Sequence, residues 1–228
     1  MRAELRRHPE YWLLGAAAVA WVPLVVMTVA GDDHAHHHAP VPFTAALGWW
    51  AVMVTAMMLP LVRRHARWLA LRTLPATRVP AVAVFAMSHL GVWVAAGAVV
   101  IAATAPVRGS AAAVAAALLL AAAWHAAPAR RRLLRRCAAA RAPGITGWRA
   151  VSDWTRMGAQ AGARCVGTCW ALMVPMAVVH HPALLAGATL LLYGERRHGA
   201  NPERRAGRIT DACWLAGAGV VTGLLAAG

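Results

Sequence analysis

Four sulfur-bearing side chains recur at helical spacing within one apolar stretch, RCVGTCWALMVPM at 164–176. They are Cys165, Cys169, Met173 and Met176. Because an α-helix turns by about 100° per residue, the four are predicted to share one face, within an arc of roughly 80°. Thiolate and thioether sulfurs are soft donors that select Cu(I) above all, and thiolates also bind Zn(II). The spacing therefore predicts a Cu(I) site, with Zn(II) as the second candidate. The alternative is that cysteine and methionine fill an apolar core.

A second group of sulfur atoms lies in the segment WWAVMVTAMMLP at 49–60. Met53 and Met57 are four residues apart and share a helical face, while Met58 points elsewhere. Thioethers bind Cu(I) without losing a proton, so they suit a site inside a membrane. Pro60 is predicted to bend the helix near its end. A packing seam lined by methionine is the alternative interpretation.

Histidines form a third candidate group, mainly in the segment GDDHAHHHAPVP at 31–42. Neutral imidazole binds copper, zinc and nickel, and histidine-rich tracts are typical of weak metal collectors. The candidates are His34, His36, His37, His38, His180 and His181. The alternative is a polar loop that responds to pH without binding a metal.

The composition is that of a membrane protein, with 60% hydrophobic residues, 14% charged residues and a mean hydropathy of +0.53. A soluble domain has about 25% charged residues. A helix needs roughly 20 apolar residues to cross the bilayer, which predicts seven spans, the sixth of them short. The alternative is six spans and one half-span, if the sixth segment is partly re-entrant. The predicted spans are 11–30, 45–62, 80–104, 110–127, 158–179, 182–194 and 208–227.

The positions of the arginines predict the orientation of these spans. With the N-terminus inside, all but two of the 23 arginines fall in inner segments, as the positive-inside rule requires. The exceptions are Arg108, which lies outside, and Arg164, which lies within the fifth span. Seven crossings then place the C-terminus outside. Although the net charge is +15, the arginines separate apolar runs, which favours an anionic inner leaflet over nucleic acid as the partner.

The predicted fold is an all-α, polytopic transmembrane helical bundle in the bacterial cytoplasmic (inner) membrane. It forms a single membrane domain over 1–228, with an outer histidine-rich loop at 31–42 and an inner basic segment at 128–157. Trp148, Val151 and Trp154 recur at helical spacing, so the inner segment is predicted to contain an amphipathic helix at the membrane surface.

Two motifs resemble those of an uncharacterised bacterial family described as predicted metal-binding integral membrane proteins. The pattern W-x-x-M-x-x-A-M-M-x-P lies in an early span and C-x-G-x-C-W-x-L-M in a late one, and the likeness extends over about 45–200. The matching residues are Trp50, Met53, Met57, Met58, Pro60, Cys165, Gly167, Cys169, Trp170 and Met173. The inner segment with Pro128 and Cys137 is also similar, although it carries arginine where the family is richer in lysine. The resemblance implies a metal site but no activity.

These observations predict an integral membrane protein that binds or passes Cu(I) through a Cys/Met site within the bundle. The sequence has no phosphate-binding loop, dinucleotide fingerprint or paired intramembrane carboxylates, so no catalytic residues are predicted. Three alternatives stay open: a non-catalytic structural subunit of a larger membrane complex, a membrane thiol oxidoreductase using Cys165 and Cys169, and a small-molecule transporter. The expected partners are the lipid bilayer and either a protein of a membrane complex or a metal chaperone.

Overall fold

A computed structural model describes residues 8, 10–30, 42–136, 147–178, 182–197 and 214–218 of the 228-residue chain. The described part is all-helical and contains no strand, which confirms the predicted all-α class. The helices are α1 (Glu10–Ala30), α2 (Phe43–Leu71), α3 (Arg78–Thr104), α4 (Ala111–Ala126), α5 (Pro128–Arg136), α6 (Gly147–Val178) and α7 (Pro182–Arg197). Short 3-10 turns at Pro75–Thr77 and Ala105–Val107 flank α3.

The helix ends have local causes in the sequence. Gly109 adopts a positive φ of 79°, which lets the chain turn tightly ahead of α4. Ser110 then caps α4, since its hydroxyl accepts a hydrogen bond from the Ala113 amide at 3.3 Å. Pro128 cannot continue α4 but is well suited to the first turn of the next helix, where α5 begins.

Among the described residues, three helical segments are long and apolar enough to cross a membrane. They are Phe43–Leu71, Pro75–Val107 and Gly147–Val178. The pair Ala111–Ala126 and Pro128–Leu134, bent by 58°, is a fourth candidate if it counts as one span. Glu10–Val26 and Leu184–Glu195 are shorter apolar helices. Seven crossings and their orientation stay predictions.

The chain divides into two compact units. The described residues of Met1–Ala98 and Ala139–Arg164 form unit 1, and those of Val99–Ala138 and Cys165–Gly228 form unit 2. The boundaries fall inside α3 and α6, so each of these helices contributes to both units. A single membrane domain over 1–228 stays a prediction.

Unit 1 is built on α1, which packs along α2, together with parts of α3 and α6. Its core includes Leu69 and Phe85, which are fully buried. The amphipathic pattern predicted within 128–157 belongs to the first turns of α6. Trp154 is buried in this core and Val151 packs against it, whereas Trp148 is 81% exposed. Protein therefore covers two of the three apolar side chains that define this pattern, Val151 and Trp154.

Glycines allow close helix contact within unit 1. A Cβ on Gly158 of α6 would collide with the backbone carbonyl of Phe85 on α3, and one on Gly162 would lie 3.0 Å from the carbonyl oxygen of His89. Small residues at a four-residue spacing allow helix backbones to approach one another closely. Substitution at Gly158 must therefore displace α3.

We expect Gly158→Ala to destabilise the protein by about 1–3 kcal/mol, the cost typical of overpacking. The matched control is Gly91→Ala on α3, where an added Cβ meets nothing within 4 Å. This control is expected to be neutral or slightly stabilising, because alanine has the higher helix propensity. Thermal unfolding of both variants in the same detergent checks the difference. Equal melting temperatures for the two variants would contradict the close contact.

Unit 2 contains the end of α3, the second part of α6, and α4, α5 and α7. Val114 and Leu118 of α4 form a small buried cluster with Val178 at the end of α6. The Gly109 amide donates to the Val178 carbonyl at 3.1 Å, and the rings of Trp124 and Trp170 lie 5.6 Å apart. The second part of α6 carries the predicted sulfur ligands. It therefore contacts α4 and the turn before α4 at two positions, Trp170 and Val178.

Candidate metal site

The four predicted sulfur ligands of unit 2 all lie on α6 and are all buried. The exposed fractions are 1% for Cys165, 2% for Cys169, 0% for Met173 and 2% for Met176. Neither cysteine forms a disulfide bond with another described residue. The predicted helix therefore exists, and it places these four side chains in the interior of the protein. Their role as metal ligands stays a prediction.

A hydroxyl group links the backbone of Cys165 to the side chain of Cys169. Thr168 is fully buried, and its Oγ1 donates to the backbone carbonyl of Cys165 at 3.0 Å. The same oxygen lies 3.4 Å from Sγ of Cys169, a pair in which either atom can be the donor. A neutral thiol can donate to this oxygen, and a thiolate can accept from the same hydroxyl after rotation. Thr168 can therefore serve Cys169 in either state.

A buried arginine reaches the same turn of α6. Arg130, on α5, is fully buried and its Nε donates to the Thr168 carbonyl at 2.9 Å. Its two terminal nitrogens donate to the two carboxylate oxygens of Glu195, on α7, at 2.8 and 2.6 Å. This fork-to-fork geometry is the strongest arrangement of an arginine–carboxylate pair. It joins α5, α6 and α7 beside the cysteines.

His125 extends this polar group at the end of α4. Its exposed fraction is 2%, and its Nε2 lies 3.7 Å from Oε1 of Glu195. The distance is too long for a hydrogen bond but short enough for a favourable charge interaction when the imidazole is protonated. We call Arg130, Glu195, His125 and Thr168 the buried polar group. Sequence reasoning singled out none of its pairings.

Unit 1 contains the second set of predicted ligands. Met53, Met57 and Met58 of α2 are buried, with exposed fractions of 0, 1 and 0%. Pro60 lies inside the same helix, which continues to Leu71. His89 of α3 is also fully buried and its ring stacks with that of Phe85. Complete burial suits both a thioether site and an apolar seam, so the ligand role of these methionines stays a prediction.

The histidine candidates lie outside the described residues. They are His34, His36, His37, His38, His180 and His181. In the described part of the chain, no group of three or more histidine, cysteine, aspartate and glutamate side chains could hold a metal ion. Within that part, a third ligand added to the two cysteines would have to be a donor of another type, such as the thioether of methionine.

The fold and the site define an all-helical protein with long apolar helices and buried sulfur donors. The chain belongs to the copper chaperone family PpoB2, whose model matches residues 45–222. The matched range covers more than three quarters of the chain. Neither the comparison with curated proteins nor that with solved structures finds a match.

Membership of this family confirms that the resemblance is to a copper-related family. The matched range contains both sulfur motifs, His180 and His181, and it begins after the loop at 31–42. The matched range therefore includes all of the predicted sulfur ligands and none of the four histidines of that loop.

Proposed function

We propose that this chain is an integral membrane protein that binds Cu(I) through the thiolates of Cys165 and Cys169, with Met173 and Met176 continuing the site along α6. The buried row of four sulfurs on one helix of a copper chaperone family member carries the proposal. Cu(I) prefers sulfur ligands, and a buried site excludes the water that would favour its oxidation or exchange.

The membrane part of the proposal is supported by apolar side chains on the outside of the helices. Val19, Val22, Met87, Val99 and Leu190 have exposed fractions between 60 and 72%. A soluble protein rarely leaves so much large apolar surface in water, whereas lipid covers it without cost. We assign the chain seven crossings of the cytoplasmic membrane, with the N-terminus inside and the C-terminus outside.

The topology predicts where reporter proteins fused to the chain will be active. Fusions at the inner segments near residues 75, 140 and 200 are expected to give cytoplasmic reporter fluorescence. Fusions near residue 108 and at the C-terminus are expected to give periplasmic phosphatase activity. A paired fluorescent and phosphatase reporter at each position provides the control. A C-terminal fusion that fluoresces in the cytoplasm would contradict the seven-span assignment.

The other candidate residues have separate proposed roles. The outer histidines would collect the ion weakly, because neutral imidazole binds copper but a short loop selects poorly. Met53, Met57 and Met58 would carry Cu(I) as thioether ligands, which add no charge to unit 1. Zn(II) is the second candidate for the thiolates. No energy-coupling motif is present in the sequence, so movement of the ion would follow its gradient or the affinity of a partner protein.

Elemental analysis of protein purified in mild detergent tests the proposed function. After exposure to Cu(I) and removal of excess ion, we expect copper to remain bound at a fixed ratio to protein. A variant lacking Cys137 and Cys213, the two cysteines that the proposed site does not use, is expected to retain the same ratio. Protein that retains no copper but co-purifies with a stable partner would contradict the proposal and favour a structural subunit.

A further inference from the structure

The guanidinium of Arg130 contacts Glu195 at one end and α6 at the other. The carboxylate holds the two terminal nitrogens of the guanidinium, while Nε, at the other end of the group, donates to the Thr168 carbonyl. The positive group therefore lies between the carboxylate and the turn of α6 that carries the cysteines. Thr168 Oγ1 is 3.4 Å from Sγ of Cys169, so this turn is the same one that holds the proposed ligands.

The charge of the bound ion determines how strongly the Arg130 guanidinium affects the affinity for that ion. A monovalent ion bound by two thiolates forms a complex with a net charge of −1, whereas a divalent ion bound by the same thiolates forms a neutral one. A net charge is costly to bury unless an opposite charge lies nearby. Arg130 is buried completely, so little solvent screens its charge from the same turn.

We propose that Arg130 is a specificity-determining residue that favours monovalent soft ions, Cu(I) and Ag(I), over divalent ions such as Zn(II) and Cd(II). The inference rests on the proposed function, because it takes Cys165 and Cys169 as the two thiolate ligands. Glu195 fixes the guanidinium in place and partly offsets its charge, since it lies on the far side of that group. Arg130 does not touch the ion in this account and acts through charge alone.

Glu195 is expected to weaken the preference for monovalent ions, which is the opposite of the effect proposed for Arg130. Its carboxylate opposes the formation of an anionic complex, so its removal with Arg130 retained should increase the preference for monovalent ions. A residue that only supported the fold would not give opposite changes of selectivity for the two members of one ion pair. This opposition separates the proposed role from a purely structural one.

The test compares the affinities of each variant for Cu(I), Ag(I) and Cd(II) in the same detergent and at one pH, by competition with chelators of known affinity. The variants are Arg130→Gln with Glu195→Gln, which removes both charges but keeps polar side chains, Glu195→Gln alone, and Arg130→Lys. Arg132→Gln, an exposed arginine on the same helix, is the matched control.

In the doubly neutral variant, the ratio of Cu(I) affinity to Cd(II) affinity is expected to fall by about tenfold, with Cd(II) nearly unchanged. In Glu195→Gln the ratio is expected to rise, and in Arg130→Lys it is expected to stay closer to the wild-type value. Equal losses for both ions, or unchanged ratios, would overturn the inference. If the doubly neutral variant does not fold, Arg130→Leu with Glu195→Leu, which also removes both charges, replaces it in the comparison.

Failure of this inference is distinguishable from failure of the proposed function. Wild-type protein that does not bind Cu(I) would contradict the proposed function itself. Wild-type protein that binds Cu(I) with a selectivity unaffected by the ion pair would leave the proposed site intact and remove the specificity role of Arg130.

Discussion

Replacing Cys165 and Cys169 together by serine is expected to lower the affinity for Cu(I) by at least about a hundredfold. Groups that only support a metal ligand already change affinity by about 10–100-fold, and the thiolates are the ligands themselves in our account. A serine hydroxyl is a hard, neutral donor that does not replace a soft thiolate. Competition with a Cu(I)-specific chelator measures the change directly.

Two controls make this result interpretable. Serine at both buried positions adds hydroxyl groups to a buried face, so thermal unfolding must show that the variant is folded before its affinity is measured. The variant with Cys137 and Cys213 replaced by serine removes the same number of thiols outside the α6 row. Loss of affinity in that control alone, with retention in the Cys165 and Cys169 variant, would place the site elsewhere.

Removing Arg130 alone is expected to have the second large effect, on stability. Arg130→Leu leaves the carboxylate of Glu195, which is only 12% exposed, without its bidentate partner. Breaking a buried ion pair on one side typically destabilises a protein by about 3–5 kcal/mol. Thermal unfolding in detergent is expected to show a large decrease in melting temperature for this variant.

The double variant Arg130→Leu with Glu195→Leu is expected to be more stable than Arg130→Leu alone. Replacing both members of a buried pair by apolar residues is often neutral, because no charge is left without a partner. We therefore expect the double variant to recover most of the lost stability. Arg132→Leu, at an exposed position on α5, is expected to change stability by less than about 0.5 kcal/mol. Destabilisation of the double variant as large as that of Arg130→Leu would contradict the ion-pair account.

Apolar runs predicted the helices well, but helix ends depend on other features. The run at 45–62 predicts a span, whereas α2 continues to Leu71. Arginine is a good helix former, so the backbone hydrogen bonds continue past Arg63 and Arg64 although the residues are no longer apolar. In the same way α6 begins at Gly147, well before the predicted span at 158–179. Hydropathy identifies the part of a helix that suits lipid rather than the whole helix.

The sulfur row was predictable because it depends only on helical periodicity along one segment. The buried polar group was not, because Arg130 and Glu195 are 65 residues apart and belong to different helices. One signal was present: Glu195 is one of only 8 acidic residues and directly follows an apolar run. A carboxylate at that position needs a basic partner. The choice among 23 arginines, however, depends on the packing of α5 against α6 and α7.

X-ray absorption at the copper edge of the Cu(I)-loaded protein tests the central claim most directly. We expect a first coordination shell made only of sulfur, and a loss of this shell when Cys165 and Cys169 are replaced by serine. A shell dominated by nitrogen or oxygen, or a sulfur shell that persists in the serine variant, would contradict the assignment of the copper site to these two cysteines.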